Sequence, residues 1–535
     1  MRNHEHGVGL ARARRLLEIA SIASLVGLPW TVGGCTVGPN FSKPEAPIND
    51  KWNAKDDRRV ASQANSESQW WKEFNDRTLD RLVDAAYGQN LPLQVTGLKI
   101  VEARAHLGLA TGKQFPQVQV VGGELSAVKY SNNWVNIPNF DREFLNYQIG
   151  FDAVWELDFW GKYRRGVQAE AASLLATVAD YYYGLVSLTA EVARTYAMVR
   201  TFEVLIEQAQ ENARLQEEGL KIAESRFHNG ATSELDVTQA TTLLESTRAT
   251  VPQLQISLQQ SRNALSTLLG QTTGSLENLL NGPKEIPKPP SRVAVSVPAE
   301  MLRRRPDIRG AELLAAAQCA RIGVAKAELY PSFSLFGSIG LRATNSGGDA
   351  RNLFSGDSVY YAFGPKISWP FFNYGRLTNN VRVEDARFQQ LLVNYRSTVL
   401  KAAQEVEDAL TGFLHSQDVL TFQENAVMSA RRSAEISVIQ YREGAVDYQR
   451  VLDAQRSLLQ QQNALAQTKS TLAVNLIALH KALGGGWESR QGQPIVPENT
   501  QKEMKARSNW GDVLSQPRTV EIKDKEKDAK QADKR

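Results

Sequence analysis

Residues 145–161 read LNYQIGFDAVWELDFWG, and residues 359–375 read VYYAFGPKISWPFFNYG. In the first stretch Leu145, Tyr147, Ile149, Phe151, Ala153, Trp155 and Leu157 take the odd positions. Asn146, Gln148, Gly150, Asp152, Val154, Glu156 and Asp158 take the even ones. Successive side chains of a strand point to opposite faces, so this spacing predicts a strand with one aromatic-rich apolar face and one polar face. The second stretch alternates in the same way, with Tyr361, Phe363, Pro365, Ile367 and Trp369 against Tyr360, Ala362, Gly364, Lys366 and Ser368. Before it, Phe333, Leu335, Ile339 and Leu341 share one side of another strand. A soluble sandwich gives this alternation, and so does a barrel in an outer membrane. On the strands alone the sandwich is the simpler reading.

The two stretches are copies of one unit. Trp155 and Trp369 stand 214 residues apart, as do Gly161 and Gly375, Gly230 and Gly444, Val237 and Val451, Ala240 and Ala454, and Gly270 and Gly484. Pro92 and Pro306 keep the offset, and Phe115-Pro116 matches Tyr330-Pro331 one residue further on. A constant offset over so many landmarks is the mark of an internal repeat. The repeat divides the chain into residues 1–34, an N-terminal segment 35–89, copies at 90–270 and 304–484, a connector at 271–303 and a C-terminal segment 485–535. The connector carries Pro283, Pro287, Pro289 and Pro290, which favour an extended, semi-rigid chain.

After each strand pair comes a long proline-free stretch. Positions 178, 185, 192, 199, 206, 213 and 220 are Val, Leu, Val, Val, Ile, Ala and Leu, and their counterparts 214 residues on are all apolar too. A strict seven-residue period predicts left-handed coiled-coil packing. From Lys162 to Phe227 a helix would be about 100 Å long at about 1.5 Å per residue. Gly230 ends it in copy one, and Gly444 ends its counterpart in copy two. Ser233 and Asp447 are suited to cap returning helices that reach Gly270 and Gly484, the first of them carrying Pro252, a kink-forming residue. Each copy thus opens with a helix (in copy two from Pro306 to Ala327) and continues as a strand pair and a coiled helical hairpin.

Composition narrows the function classes. Of 535 residues, 42% are hydrophobic and 22% charged, and the net charge is only +4. That speaks against binding dominated by nucleic-acid phosphates. With Cys35 and Cys319 alone there is no disulfide framework and no thiolate zinc site. His4, His6, His106, His228, His415 and His480 are scattered, so no metal-ligand motif is expected. Neither a phosphate loop nor a nucleophile elbow occurs. The sequence therefore predicts no enzyme, no cofactor and no energy-coupling site, and five methionines argue weakly against copper export. Beyond residue 35 no apolar stretch reaches the about 18–20 residues of a transmembrane helix.

The first 34 residues carry Arg12, Arg14 and Arg15, an apolar stretch from Leu16 to Trp30, and Val32-Gly33-Gly34 before Cys35. A basic region, an apolar region and small residues predict a secretory signal, and its end resembles a bacterial lipobox. Glu18 and Val32 depart from the usual pattern. The resemblance implies cleavage before Cys35, with a diacylglycerol on its sulfur and an acyl chain on its amine. Thr36, where an inner-membrane lipoprotein usually has Asp, points to the outer membrane.

Placing four strands per chain in a membrane has a consequence. Backbone groups in lipid must all be paired, and four strands are too few to close a barrel, so the membrane reading requires an oligomer. Further matches are Cys35-Thr-Val-Gly-Pro-Asn-Phe41, Arg303-Arg-Arg-Pro-Asp-Ile308, Trp155-Glu-Leu-Asp-Phe-Trp-Gly161, Tyr441-Arg-Glu-Gly444 and Val451-Leu-Asp-Ala-Gln-Arg456. By these the chain resembles outer-membrane factors of the TolC-like superfamily, in the NodT-type lipoprotein branch, over roughly residues 35–487. The resemblance implies an α+β membrane protein, a trimer with a twelve-stranded transmembrane β-barrel continued by a periplasmic α-helical coiled-coil barrel. It also implies outer-membrane lipid, a periplasmic adaptor and an inner-membrane pump, usually of the resistance-nodulation-division type, as partners, with small toxic compounds or drugs as cargo.

The same resemblance places a periplasmic gate at the hairpin ends, with Tyr441, Asp453 and Arg456 at the matching positions. Arg450 stands where some members carry aspartate. Its copy-one equivalent is Asp236, so an Asp236–Arg450 pair across helices is an expectation. Gly230 and Gly444 mark the expected adaptor-contacting tips. A type I protein-secretion duct is the alternative function. A cell-surface coiled-coil adhesin would need no duplicated strand pairs.

Overall fold

The computed structural model describes residues 35–61, 67–133, 141–295, 297–345 and 350–514. The expected signal sequence and the end of the charged tail lie outside these residues. The chain divides into two compact units, one gathering Met1–Gly38, Lys113–Arg165 and Gly323–Thr378, the other Pro39–Gly112, Gly166–Ile322 and Asn379–Arg535.

The first unit holds strands β1 (Val118–Lys129), β2 (Glu143–Leu157), β3 (Ser332–Thr344) and β4 (Val359–Ser368). They form one antiparallel sheet in the order β1-β2-β3-β4. Gly150 lies opposite Gly122 on one side and Gly340 on the other. The alternation read from sequence is real. On the odd-numbered face Val121, Leu125, Ile339, Tyr361, Phe363 and Ile367 are all exposed. The even-numbered face is the more polar one, although Val118, Val120, Val154 and Phe336 also lie on it, and it is bonded to itself: Gln148 Nε2 donates to Tyr360 Oη at 2.7 Å, and Arg342 Nε to Asn146 Oδ1 at 2.9 Å. Among the described residues no apolar layer covers the odd face, so these four strands do not form half of a sandwich. An exposed apolar surface of this extent marks an interaction site.

Residues 35–38 lie in this unit. The Val37 amide donates to the Trp160 carbonyl at 3.1 Å, Arg165 Nε donates to Val37 O at 3.2 Å, and Cys35 is exposed.

The second unit is helical. Helices α1 (Arg77–Gln89) and α2 (Leu91–Gly112) precede the first strand pair. Two hairpins, α3 (Lys162–His228) with α4 (Glu234–Leu268), and α6 (Arg376–Arg442) with α7 (Tyr448–Leu483), account for most of the rest. Helix α5 (Pro306–Ala327) opens the second copy as α2 opens the first. Both α3 and α6 run for 67 residues. Pro252 sits inside α4 without ending it. The heptad positions Leu185, Val192 and Val199, with Val399, Val406 and Phe413 on the second copy, are each 0% exposed and share one core. Around them pack Leu79, Leu82 and Val83 of α1 and the indoles of Trp70 and Trp71.

The Arg-Arg-Pro-Asp stretch has a structural reason. Arg305, buried, grips Asp307 with Nε and Nη2, and its Nη1 donates to Glu405 Oε2 and to the Ala482 carbonyl, both at 2.8 Å. A cation on the last carbonyls of α7 complements the helix dipole. Cys319 is buried in α5, with its sulfur 3.6 Å from the Pro39 carbonyl oxygen. In the C-terminal segment the helix Glu498–Arg507 seats Met504 against Val101 of α2, Val496 and Leu514.

Candidate functional site: the hairpin ends

Gly230 and Gly444, at φ of 69° and 80°, turn the chain at the ends of α3 and α6. Around each the backbone closes alike: Gly230 N donates to Phe227 O and Ala231 N to Arg226 O, while Gly444 N donates to Tyr441 O and Ala445 N to Gln440 O. These paired bonds satisfy the last helical carbonyls and need a left-handed residue, which glycine supplies without a Cβ clash.

The returning helices start differently. Asp447 caps α7, its carboxylate accepting from the Arg450 amide at 3.4 Å. Ser233 holds the corresponding position of α4 but makes no side-chain capping bond. Instead the Thr232 hydroxyl donates to Asp236.

Tyr441 is the centre of the site. It is 2% exposed, within a cluster of Ala223, Ala240, Leu243, Tyr448, Val451 and Leu452. Its hydroxyl donates to Asp236 Oδ2 at 3.0 Å, joining the second hairpin to the first. Its ring meets Tyr448 edge-on, centroids 5.0 Å apart. On the other side the Arg226 guanidinium carbon stands 4.8 Å from the ring centroid, within cation–π range. Arg226 Nη1 also donates to the carbonyls of Tyr441 at 2.6 Å and Arg442 at 3.2 Å. Burial first, then the bond to Asp236, raises the Tyr441 pKa above the ordinary phenol value. The Tyr448 phenol is raised as well, chiefly by burial.

Of the residues expected at the gate, Tyr441 and Asp236 meet and the others do not. Asp453 is exposed and accepts from Gln449 Nε2 at 3.0 Å. Arg456 and Arg450 are exposed, and among the described residues neither forms an ion pair. The expected Asp236–Arg450 pair is therefore corrected within the chain: Tyr441 and Thr232 occupy the Asp236 carboxylate. Tyr441 itself is an internal tie, too buried to line a channel.

Sequence reasoning missed Arg226 and Thr232, although a signal was present. At the ends the copies diverge in their polar residues: Arg226 against Gln440, Thr232 against Val446, Asp236 against Arg450, Tyr441 against Phe227. The contacts that tie the hairpins are made by residues that the repeat does not share. It missed a buried polar layer as well. Asn212 Nδ2 donates to Gln462 Oε1 at 2.6 Å, and the side chains of Gln216 and Gln455 are buried between the hairpins. Buried amides of this kind fix register in coiled coils at a cost in stability.

With this geometry, the chain matches the model of the family described as outer membrane efflux protein over residues 82–271 and 297–485. The chain belongs to that family. Its relatives include the cation efflux system protein CusC of Escherichia coli O6:H1, 31% identical over 476 residues, which cover 86% of this chain and 98% of the relative. Nodulation protein T of Rhizobium leguminosarum bv. trifolii is 30% identical over 458 residues, covering 85% of this chain and 95% of that protein. Among solved structures, the outer-membrane channel OprN matches with a TM-score of 0.79 at 32% identity, over 85% of this chain and 100% of that one. The family members are channel-type efflux proteins of the outer membrane.

Proposed function

We propose that this chain is the outer-membrane exit duct of a tripartite efflux system. Three copies join their four-stranded sheets into a twelve-stranded barrel, with the odd-numbered apolar face toward lipid and the even-numbered polar face toward the lumen. The hairpins continue the duct into the periplasm, where a periplasmic adaptor and an inner-membrane pump of the resistance-nodulation-division type dock. Small toxic compounds or drugs pass through it passively. Acyl chains on Cys35 add an anchor at the mature N-terminus.

One observation carries this reading: a sheet with an uncovered apolar face and an outer side of β1 and of β4 that no other described strand pairs. In lipid such edges must find partners, and a ring of identical sheets supplies them. At the hairpin ends, the Tyr441–Asp236 bond supports a closed resting state, with Gly230 and Gly444 at the tips that meet the adaptor. Asp453, Arg456 and Arg450 are exposed and form no ion pair among the described residues, so they can face neighbouring protomers.

The test is accumulation of a fluorescent efflux dye in a deletion strain, with and without an intact adaptor and pump. Raised retention, restored by the gene only when adaptor and pump are present, is the expected result. Normal dye efflux alongside failure to secrete one protein would establish the type I secretion duct instead.

A further inference from the structure

The internal repeat fixes how one copy of the sheet meets the next. Within the strands the offset is uniform, so the pair Val118–Val154 of β1 and β2 becomes Ser332–Ser368 of β3 and β4. The seam inside the chain, β2 against β3, is therefore a template for the seam that closes the barrel, β4 against β1 of a second copy. On the inner seam Asp152 faces Ser338, Gly150 faces Gly340, Ile149 faces Leu341 and Gln148 faces Arg342.

We infer that β4 of one copy pairs antiparallel with β1 of the next in the register that sets Lys366 opposite Glu124. The same register sets Gly364 opposite Ser126, Phe363 opposite Ala127, and Ala362 opposite Val128. The inference rests on the barrel reading above and adds to it a specific interface.

Two independent features agree with this register. First, odd residues meet odd residues, so the apolar faces of adjoining copies run on without a break; a slip by one residue would turn every side chain of one sheet to the wrong face. Second, Lys366 and Glu124 are both exposed and form no ion pair within the chain among the described residues. The register brings this opposite-charge pair face to face on the polar side, where cross-strand pairs of opposite charge are favourable. Their equivalents on the inner seam, Asp152 and Ser338, carry no such pairing.

Pro365 sets a local cost on this seam. On the inner seam the odd residues of β2 turn their backbone groups toward β3, as the Asn345 amide donating to Leu145 O at 3.3 Å shows. By the repeat, odd residues of β4 turn theirs outward. Pro365, lacking an amide proton, breaks no bond inside the chain, but in this register it faces Leu125 in a hydrogen-bonded pair, so the seam is one backbone bond short at that point.

The rim of the sheet points the same way. On the inner seam Trp160 stacks on Tyr330 with centroids 4.6 Å apart, and its Nε1 donates to the Pro331 carbonyl at 2.8 Å. The repeat counterparts of these rings are Tyr374, 99% exposed, and Phe115, 62% exposed. Closure of the seam brings Tyr374 of one copy to Phe115 of the next, so that both lose water contact together.

Even-numbered pairs on the new seam are the non-hydrogen-bonded ones, with Cα atoms about 4.5 Å apart, close enough for a disulfide. Full-length protein carrying Ala362→Cys and Val128→Cys in a Cys319→Ala background is oxidised in outer membranes and run on a denaturing gel. The register predicts dimer and trimer bands. Ala362→Cys with Ser126→Cys, or with Tyr130→Cys, moves the partner by two residues and should stay monomeric. Lys366→Glu should lower the temperature at which the trimer dissociates in detergent, and Glu124→Lys in the same chain should restore it. Crosslinking by a shifted pair but not the matched one overturns the register while leaving the barrel in place. No crosslink from any pair, with a single chain on native gels, overturns the barrel reading itself.

Discussion

Tyr441→Phe removes one atom from the hairpin ends. The ring stays, and with it the edge contact to Tyr448 and the stacking of Arg226. What goes is the 3.0 Å bond to Asp236 Oδ2. Bonds to charged acceptors contribute about 1.5–3 kcal/mol net, and Thr232 still donates to the same carboxylate, so the lower end applies. About 1.5 kcal/mol changes an equilibrium roughly tenfold. The tie between the hairpins should open about ten times more often, while thermal stability shifts little because packing is retained. In planar bilayers the variant should show longer and more frequent high-conductance openings than the parent. Asp236→Asn should do the same, since it weakens the same acceptor. Unchanged openings in both variants would refute the assignment of this bond to the resting state. The raised phenol pKa adds a sign that can be checked. A pKa raised in the folded protein means the contribution is fully present below about 10 and is lost as pH rises through the raised value. The closed state should thus hold through neutral and mildly alkaline solution and weaken only in strong alkali.

Other outcomes are open to direct measurement. Arg305→Ala should cost about 3–5 kcal/mol, since it strips buried partners from Asp307 and from the end of α7; urea titration in detergent reads this as a lower midpoint. Cys35→Ser should abolish labelling by radioactive palmitate while leaving the heat-resistant oligomer intact. Asp453→Ala combined with Arg456→Ala should raise single-channel conductance without lowering thermal stability, because both side chains are exposed and neither pairs with the other within the chain.

Much of this architecture could be read from residue order. The strands showed themselves through two-residue alternation, and the long helices through apolar positions every seven residues that prove fully buried at Leu185, Val192, Val199, Val406 and Phe413. The repeat offset aligned the copies before any contact was known. The site was less legible. Tyr441 and Asp236 were both singled out, yet within the chain Asp236 bonds Tyr441 and Thr232 rather than Arg450. The expected pairing assumed that repeat-equivalent residues meet, whereas hairpin packing brings Asp236 to Tyr441, nine residues earlier and on the other helix of the second hairpin. Arg226 escaped notice because a half-buried arginine capping another helix's carbonyls has no local spacing rule. Ser233 fits the cap pattern, but Asp236 already holds Thr232, so composition at one position did not decide who bonds to whom.

The tie between Tyr441 and Asp236 lies inside one chain, and this has a statistical consequence. In the proposed trimer three such bonds exist, none shared between protomers, so opening the duct need not loosen the assembly that the sheets maintain. If the three act independently, the chance that all are broken varies as the cube of the chance for one. A tenfold weakening of each then multiplies the fully open population by as much as a thousand, while states with one or two released ties become common. Such a duct would conduct in discrete fractional levels rather than two, and the spacing of those levels would count its ties.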